Sequence, residues 1–422
     1  MGDMQGRHVE LEITGVAHGG VFVARHEGRV VFVSDAIPGE TVVAEITDDA
    51  KKSFWRAETI EVITPSEHRR PHPWAAASLD RSTADRAGGA EFGHIEVAHQ
   101  RELKERVLAD SFSRMARIDR ETTVEALPSG ETQDDAAEVT GMGWRTRLRL
   151  HVDENGTPGQ YAARSHRVIP VDDLPLAVPE ARAIAPLGET FAGAEYVDVI
   201  VPSTGNPYVV VGGRTRERAP RTGSIVERVG ERDFRLDTRG FWQVHRHAAA
   251  TLTAAVQQAI DPDAFDPSAA NLDLYGGVGL LAAAVGDRFG PGVRITTVES
   301  DHVATGHAGY NLSDWVGASA VTARVDAYLR GVTKTAGSAE RERMTRATVI
   351  LDPPRSGAGK VVVDGLAAVK VAQVVYVACD PVALARDTAI FAEKGYELTG
   401  MRGFDLFPNT HHVEAVATFR RA

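Results

Sequence analysis

The sequence predicts an α/β protein in three parts: an N-terminal β-barrel of the OB type, a β-rich central domain, and a doubly wound, Rossmann-like domain at the C-terminus. Three observations carry this. Residues 8–64 hold about five short apolar runs separated by turns, too closely spaced for helical crossovers. Residues 122–239 are again strand-rich, with turn signals at Glu154-Asn155-Gly156 and Gly212-Gly213. From residue 240 onward apolar strands alternate with amphipathic helices, the mark of a parallel sheet covered on both faces. At 422 residues the chain also exceeds what one core usually supports.

Taken in order, the first strand starts at Val9-Glu-Leu-Glu-Ile-Thr14, before a turn-rich stretch from Gly15 to Gly20. Val21–Arg25, Arg29–Ser34 and, after Ala36-Ile-Pro-Gly-Glu40, Thr41–Ile46 continue the pattern. Such a barrel, placed at 1–64, is a common single-stranded nucleic-acid module. Residues 65–93 are irregular and rich in Pro, Ala, Ser and Arg, a linker. Residues 94–118 have helical spacing and charge pairing, so 65–121 reads as linker plus helix. The central domain is set at 122–239 and the catalytic domain at 240–422.

The net charge of −11 works against a nucleic-acid partner, because phosphates reward basic surfaces. Two stretches run the other way. Arg145, Arg147 and Arg149 alternate strictly, so a strand there sets three guanidinium groups on one face. Arg214, Arg216, Arg218 and Arg221 cluster further on. Together they make an RNA-facing groove plausible, against the plain alternative of solvated faces. No window approaches the ~20 apolar residues of a membrane helix, and the first residues lack a secretory pattern. The expected location is the cytoplasm. Cys379 is the single cysteine, which excludes an internal disulfide, a CxxC zinc ribbon and a four-thiolate cluster from this chain alone.

Four motifs carry chemistry. In Asn271-Leu-Asp273-Leu-Tyr275-Gly276-Gly277-Val-Gly279-Leu280 an apolar strand enters a glycine turn and then a helix. Glycines there let backbone approach a ligand at the helix N-terminus. Glu299 stands twenty residues after Gly279, where a carboxylate can hold both hydroxyls of a ribose. Gly277-x-Gly279-x-x-Ala282 also fits a dinucleotide fingerprint, so a nicotinamide cofactor is the rival. Asp273 before the glycines and the next motif favour S-adenosylmethionine (SAM).

That motif is Thr348-Val-Ile-Leu-Asp352-Pro353-Pro354-Arg355, a strand ending in a carboxylate and a rigid loop at the sheet edge where ligands bind. The third is Gln373-Val-Val-Tyr-Val-Ala-Cys379-Asp380-Pro381. It places a thiol between a buried strand and a helix that Asp380 can cap and Pro381 can open. A helix N-terminus lowers a thiol pKa, although Asp380 opposes that. The fourth, Asp405-Leu-Phe-Pro408-Asn-Thr-His411-His412-Val-Glu414, sets a carboxylate in an otherwise apolar strand. Such a residue is either exposed at an edge or functional. The paired histidines have no third ligand at metal spacing. Gly240-Phe241-Trp242-Gln243-Val-His245 offers an amide and aromatics at the entrance of the catalytic part.

With these motifs in order, the chain resembles the RNA uracil-5 methyltransferases, which make 5-methyluridine in tRNA and ribosomal RNA. Residues 8–64 resemble that family's TRAM domain, including Ala36-x-Pro38-Gly39-Glu40 and Lys51-Lys-Ser-Phe-Trp-Arg-Ala57. The Gln-Val, Asp-Leu-Tyr-x-Gly-x-Gly, Asp-Pro-Pro-Arg, Cys-x-Pro and His-x-Glu signatures all follow in sequence.

The resemblance implies that Cys379 is the nucleophile and Glu414 the base. It places Gln243, Tyr275, Glu299, Asp326 and Asp352 at or beside SAM. It implies an RNA substrate and a monomer. Carbon 5 of uracil is a poor nucleophile until a thiolate adds at carbon 6, which fits this residue set. The target base must leave its stack to be reached. Many relatives hold an iron–sulfur cluster on four cysteines. Here Ala87-Gly88-Gly89-Ala90 stands where they have Cys-Gly-Gly-Cys, so a cluster-free member is expected. Asp380 stands for the usual Asn, His245 for the usual Asn after Gln-Val, and Leu280 for a commonly polar residue. A cytosine-5 RNA methyltransferase and an inactive RNA-binding protein of the same fold are the alternatives.

Overall fold

A computed structural model describes residues 4–127, 140–213 and 223–422. The basic cluster Arg214, Arg216, Arg218 and Arg221 lies outside the described residues.

Strands β1 (His8–Ala17), β2 (Val21–His26), β3 (Arg29–Ser34), β4 (Thr41–Asp48) and β5 (Phe54–Thr64) close into a barrel in the order β1-β2-β3-β5-β4. Alternation makes the core: Val9, Leu11 and Ile13 of β1, Val31 and Val33 of β3, and Val42, Ala44 and Ile46 of β4 all point inward. Glu40 is the exception, a fully buried carboxylate. It accepts from the Ile37 amide at 2.8 Å, the Ser66 amide at 3.1 Å and the Arg69 guanidinium at 2.6 and 2.7 Å. A buried charge persists only when paired and hydrogen-bonded in this way.

Helix α1 (Val97–Ser111) follows and continues as a π turn over Phe112–Ala116. Its Lys104, fully buried, reaches the Asp405 carboxylate at 2.5 Å and the Phe407 carbonyl at 3.1 Å. Gln100 receives the Asn409 amide at 2.7 Å. The helix thereby clamps the loop that precedes Glu414.

Strand β6 (Val124–Glu125) joins the catalytic sheet. Strands β7 (Arg147–Val152), β8 (Pro158–Tyr161), β9 (Val168–Ile169), β10 (Ala194–Ile200) and β11 (Tyr208–Gly213) form an antiparallel sheet in the order β11-β10-β7-β8-β9. The short α2 (Pro179–Ile184) packs on it. The glycines Gly212 and Gly213 end β11 rather than making its turn. A hairpin, β12 (Ser224–Val229) with β13 (Arg232–Asp237), contributes Ile225, Phe234 and Leu236 to the catalytic core.

The remaining chain runs α3 (Ala248–Ala259), β14 (Asn271–Leu274), α4 (Leu280–Phe289), β15 (Ile295–Glu299), α5 (His302–Asn311), β16 (Ala318–Thr322), α6 (Val325–Thr335) and α7 (Ser338–Thr345). It continues through β17 (Thr348–Leu351), α8 (Gly359–Val369), β18 (Gln373–Ala378), α9 (Pro381–Glu393), β19 (Tyr396–Phe404) and β20 (Glu414–Arg421). The sheet order is β16-β15-β14-β17-β18-β20-β19-β6, parallel from β16 to β18, with β20 antiparallel to both neighbours. Helices cover both faces, so the central strands β17 and β18 are buried along their whole length and alternate by core. Val349 and Leu351 of β17 join one cluster with α6, α8 and α9, while Ile350 joins the other with α3 and α4. The doubly wound domain, the barrel and the β-rich middle are all present. No helix among the described residues is long and apolar enough to cross a membrane.

Candidate active site

The chain leaves β14 toward β15 and β16, then returns to the other side of β14 for β17 and β18. That reversal opens a crevice at the strand C-termini, where ligands of open α/β sheets bind. One half of the crevice is a glycine loop. Tyr275, Gly277 and Gly279 all have positive φ, at 64°, 53° and 89°. A side chain at Gly276 would collide with Thr297 and with the Asp273 carboxylate 2.5 Å away, whereas beside Gly277 nothing lies within 4 Å. The loop is therefore packed on one side and open on the other.

Asp273 is fully buried beneath it. Its Oδ2 accepts from the Ala282 amide at 3.2 Å and the Thr297 hydroxyl at 3.0 Å, while Oδ1 has no hydrogen-bond partner among the described residues. Burial, with the Glu299 charge adding, pushes its carboxyl up to about 6. Glu299 ends β15, half-buried. It accepts from the Ser300 and Asp301 amides at 2.5 and 2.9 Å and from the Gly277 amide at 3.3 Å. Asp326 lies in the first turn of α6. Hydrogen bonds from Arg324 at 3.1 Å and Arg330 at 2.9 Å hold its carboxyl below the usual range. Burial, then the charges of Asp326 and Asp387, pushes the Tyr275 hydroxyl up to about 12. An orphaned buried carboxylate oxygen beside an open glycine loop, with Glu299 and Asp326 further along the strand ends, fits the amino-acid and ribose ends of SAM.

The other half holds the thiol. In the antiparallel register of β18 and β20, Ala378 pairs with Ala415. One further step sets Cys379 beside Glu414. Asp352 follows β17 on the other side, its amide bonded to the Leu274 carbonyl at 3.2 Å. The group is acidic and sheltered. Burial pushes the Cys379 thiol up to about 12, with Glu414 and then Asp352 adding and Arg355 opposing. Burial, with the charge of Asp273 adding, raises Asp352 to about 7. Burial, helped by Asp352, raises Glu414 well above the carboxylate range. At rest Cys379 is a protonated thiol, in contrast to the lowering expected of a helix N-terminus.

Asp380 accepts from the Ala383 amide at 2.8 Å and caps α9, with Pro381 opening the helix. It also pairs at 3.3 Å with His18 on the barrel's first turn. Burial opposes its ionisation, but the His18 bond and the helix amides outweigh it and hold the carboxyl low. Asp387 receives the Tyr376 hydroxyl at 2.8 Å and the Gly359 amide at 3.1 Å, joining β18 and the start of α8 to α9. Neither His18 nor Tyr376 carries a sequence signal, since each acts through a partner that only the fold supplies.

Gln243 is half-buried in the segment between β13 and α3, outside both halves, with Phe241 beside it 74% exposed. Leu280 is the first residue of α4. His245 is buried against Trp144 with ring centroids 5.5 Å apart, and burial pushes its pKa to about 3. The His411 and His412 rings lie tilted against each other with centroids 4.0 Å apart, and Glu91 is 3.5 Å from His411. Ala87 and Ala90 are buried in an apolar cluster with Trp74 and Ala162.

The expected three-arginine face does not form as one. Arg149 makes two bonds to Asp198, at 2.7 and 2.8 Å, and lies 3.8 Å over Tyr196. Arg147 turns to the Gly240 carbonyl at 2.8 Å and Glu227 at 3.4 Å. Arg145 precedes β7 and lines a cleft that Arg149 also borders.

Comparison with known proteins agrees with this architecture. A TRAM-domain model matches residues 2–55, and a tRNA (uracil-5-)-methyltransferase model matches residues 331–422. A Streptomyces avermitilis protein named as an uncharacterised RNA methyltransferase is 35% identical over 99% of both chains. A Shewanella 23S rRNA (uracil(1939)-C(5))-methyltransferase is 28% identical over 96% of this chain and 94% of that one. The crystal structure of the Pyrococcus abyssi tRNA (uracil-54, C5)-methyltransferase with S-adenosylhomocysteine superposes with a TM-score of 0.69. It covers 97% of this chain and all of that one, at 20% identity.

Proposed function

We propose that this chain, which belongs to the RNA uracil-5 methyltransferase family, methylates carbon 5 of uridine in RNA through a covalent bond from Cys379 to carbon 6. The observation that carries the mechanism is the β18–β20 register, which sets the single thiol beside Glu414.

The chemistry follows from the acidic cluster. A thiol at about 12 must give up its proton to react. Asp352, with its carboxyl near 7, is the acceptor within the cluster. The sulfur then bonds carbon 6, and the carbon 5–carbon 6 electron pair moves toward carbonyl 4, making carbon 5 nucleophilic. SAM, when bound, supplies the methyl group that carbon 5 takes. Carbon 5 now carries both the methyl and its original proton. Glu414, whose raised pKa makes its charged form a strong base, removes that proton. The electron pair re-forms the ring double bond, the carbon–sulfur bond breaks, and the thiol recovers its proton from Asp352.

Asp273, Glu299, Asp326 and Tyr275 hold SAM, and Gln243 approaches from the central side. All these residues come from one chain, so a monomer suffices. The substrate is tRNA or ribosomal RNA in the cytoplasm, as the Pyrococcus and Shewanella relatives are named for those two RNAs.

RNA carrying 5-fluorouridine tests the mechanism, because fluorine at carbon 5 cannot leave as a proton. With SAM present, wild-type protein should form a complex that survives denaturing electrophoresis, and Cys379→Ala should form none. Glu414→Gln should accumulate the same complex on ordinary RNA. Release of normal product by Glu414→Gln at the wild-type rate contradicts its role as base.

A further inference from the structure

Of the three alternating arginines, Arg145 alone keeps both terminal nitrogens without a hydrogen bond among the described residues. Its Nε donates to the Arg147 carbonyl at 2.9 Å. Its two terminal nitrogens have no hydrogen bond or ion pair among the described residues, and the Trp144 ring lies 5.9 Å away. Arg145 lines a half-open cleft of about 70 Å³ on the five-stranded sheet, walled by Leu148, Leu174, Leu176 and Trp74 with Gln160 and Arg149 also in the lining. Among the described residues no acidic one lines it, in a chain with 58 Asp and Glu against 47 Lys and Arg. Gly88 and Gly89 form another wall, and nothing lies within 4 Å of where a Gly89 side chain would start.

We propose that this cleft is a second nucleobase subsite, which takes an unstacked base of the substrate RNA near the target uridine. It rests on the RNA reading above. Apolar walls with an indole suit the faces of a base. A guanidinium with two free nitrogens matches adjacent acceptors on one base edge, and guanine offers such a pair in O6 and N7. Carboxylate ligands are repelled less than in the rest of this acidic chain, but they lack a flat face for these walls.

Position supports the assignment. Arg145 forms an isolated β-bridge with His245, and the Thr146 amide donates to the Val244 carbonyl at 2.8 Å. Those two residues directly follow Gln243. The cleft therefore borders the backbone of the segment that carries Gln243, which the reading above places at SAM.

The test uses the full chain with ¹³C-labelled leucine methyls. Guanosine monophosphate should shift Leu148, Leu174 and Leu176 saturably, at a Kd about tenfold or more below that of uridine monophosphate. Arg145→Met should abolish the shifts. Arg145→Lys, which keeps the charge and loses the fork, should lose the guanine preference. With substrate RNA, Arg145→Met should raise KM about tenfold and leave kcat unchanged. The proposal is overturned by leucine methyls that do not move, by equal shifts with inorganic phosphate, by retention of the guanine preference in Arg145→Met, or by an unchanged KM. The leucine readout needs no methyl transfer, so Cys379→Ala should titrate as wild type. A chain that titrates but makes no 5-methyluridine thus fails the functional reading and not this one.

Discussion

Cys379 should be nearly inert toward alkylation in the resting protein, although it is the proposed nucleophile. The cause is structural: burial first, then Glu414 and Asp352, push the thiol up to about 12. At pH 8 an ordinary thiol with pKa ≈ 8.5–9 is roughly 10% or more thiolate, while one at 12 is about 0.01% thiolate. Because the thiolate is the reacting form, iodoacetamide should modify Cys379 on the order of a thousandfold more slowly than a free cysteine peptide. The chain has one cysteine, so intact-mass spectrometry reads the rate without interference. Raising the pH should speed the reaction about tenfold per unit up to pH 11. Asp352→Asn should speed it at pH 8, because Asp352, at about 7, is charged there and losing that charge lowers the thiol pKa. A wild-type rate equal to that of the free peptide, or an Asp352→Asn rate slower than wild type, would refute the claim that burial and the neighbouring carboxylate hold the thiol protonated.

Four further outcomes are expected. Asp273 is raised to about 6 from 3.8 by burial. Its folded pKa therefore exceeds its unfolded one, and wild type loses stability relative to Asp273→Asn as pH rises from about 4 through 6. The difference should level near 3 kcal/mol at neutral pH, as read by urea denaturation at pH 4 and 7. Lys104→Met leaves Asp405 buried and unpaired, and should cost about 3–5 kcal/mol in the same assay. Glu40→Gln breaks the buried pair with Arg69 and should cost a similar ~3–5 kcal/mol, seen as a lower melting temperature of the barrel. His18→Ala removes a partly exposed pair with Asp380 and should cost under ~1 kcal/mol of stability. It should lower kcat up to about fivefold, with Asp380→Asn lessening the effect in the double variant.

The strand-and-turn parts of the site were legible because they are local. A continuous apolar strand ending in Asp352-Pro-Pro, and another ending in Cys379-Asp380-Pro381, each sit where the sequence places them. Glu414 was ambiguous in sequence, since a carboxylate opening an apolar strand reads equally as an edge residue. The β18 pairing removes the ambiguity by burying it opposite the thiol. The arginine stripe misled for the complementary reason. Alternation is visible in one strand, but Asp198 faces Arg149 only through the β7–β10 register, which no local pattern encodes. Lys104 looked like one more helical surface charge, and its partner Asp405 lies 301 residues away. A still longer separation in sequence hides the His18–Asp380 contact, which ties the barrel to the residue after the proposed nucleophile.

The most direct test of the account is uridine methylation by Cys379→Ala. Purified protein, SAM and a tRNA or ribosomal RNA transcript that wild type modifies are incubated, and the digested nucleosides are read by mass spectrometry. The account predicts that wild type yields 5-methyluridine and that Cys379→Ala yields none, while still binding SAM with wild-type affinity. Methylation at carbon 5 by Cys379→Ala at a rate near wild type would contradict it.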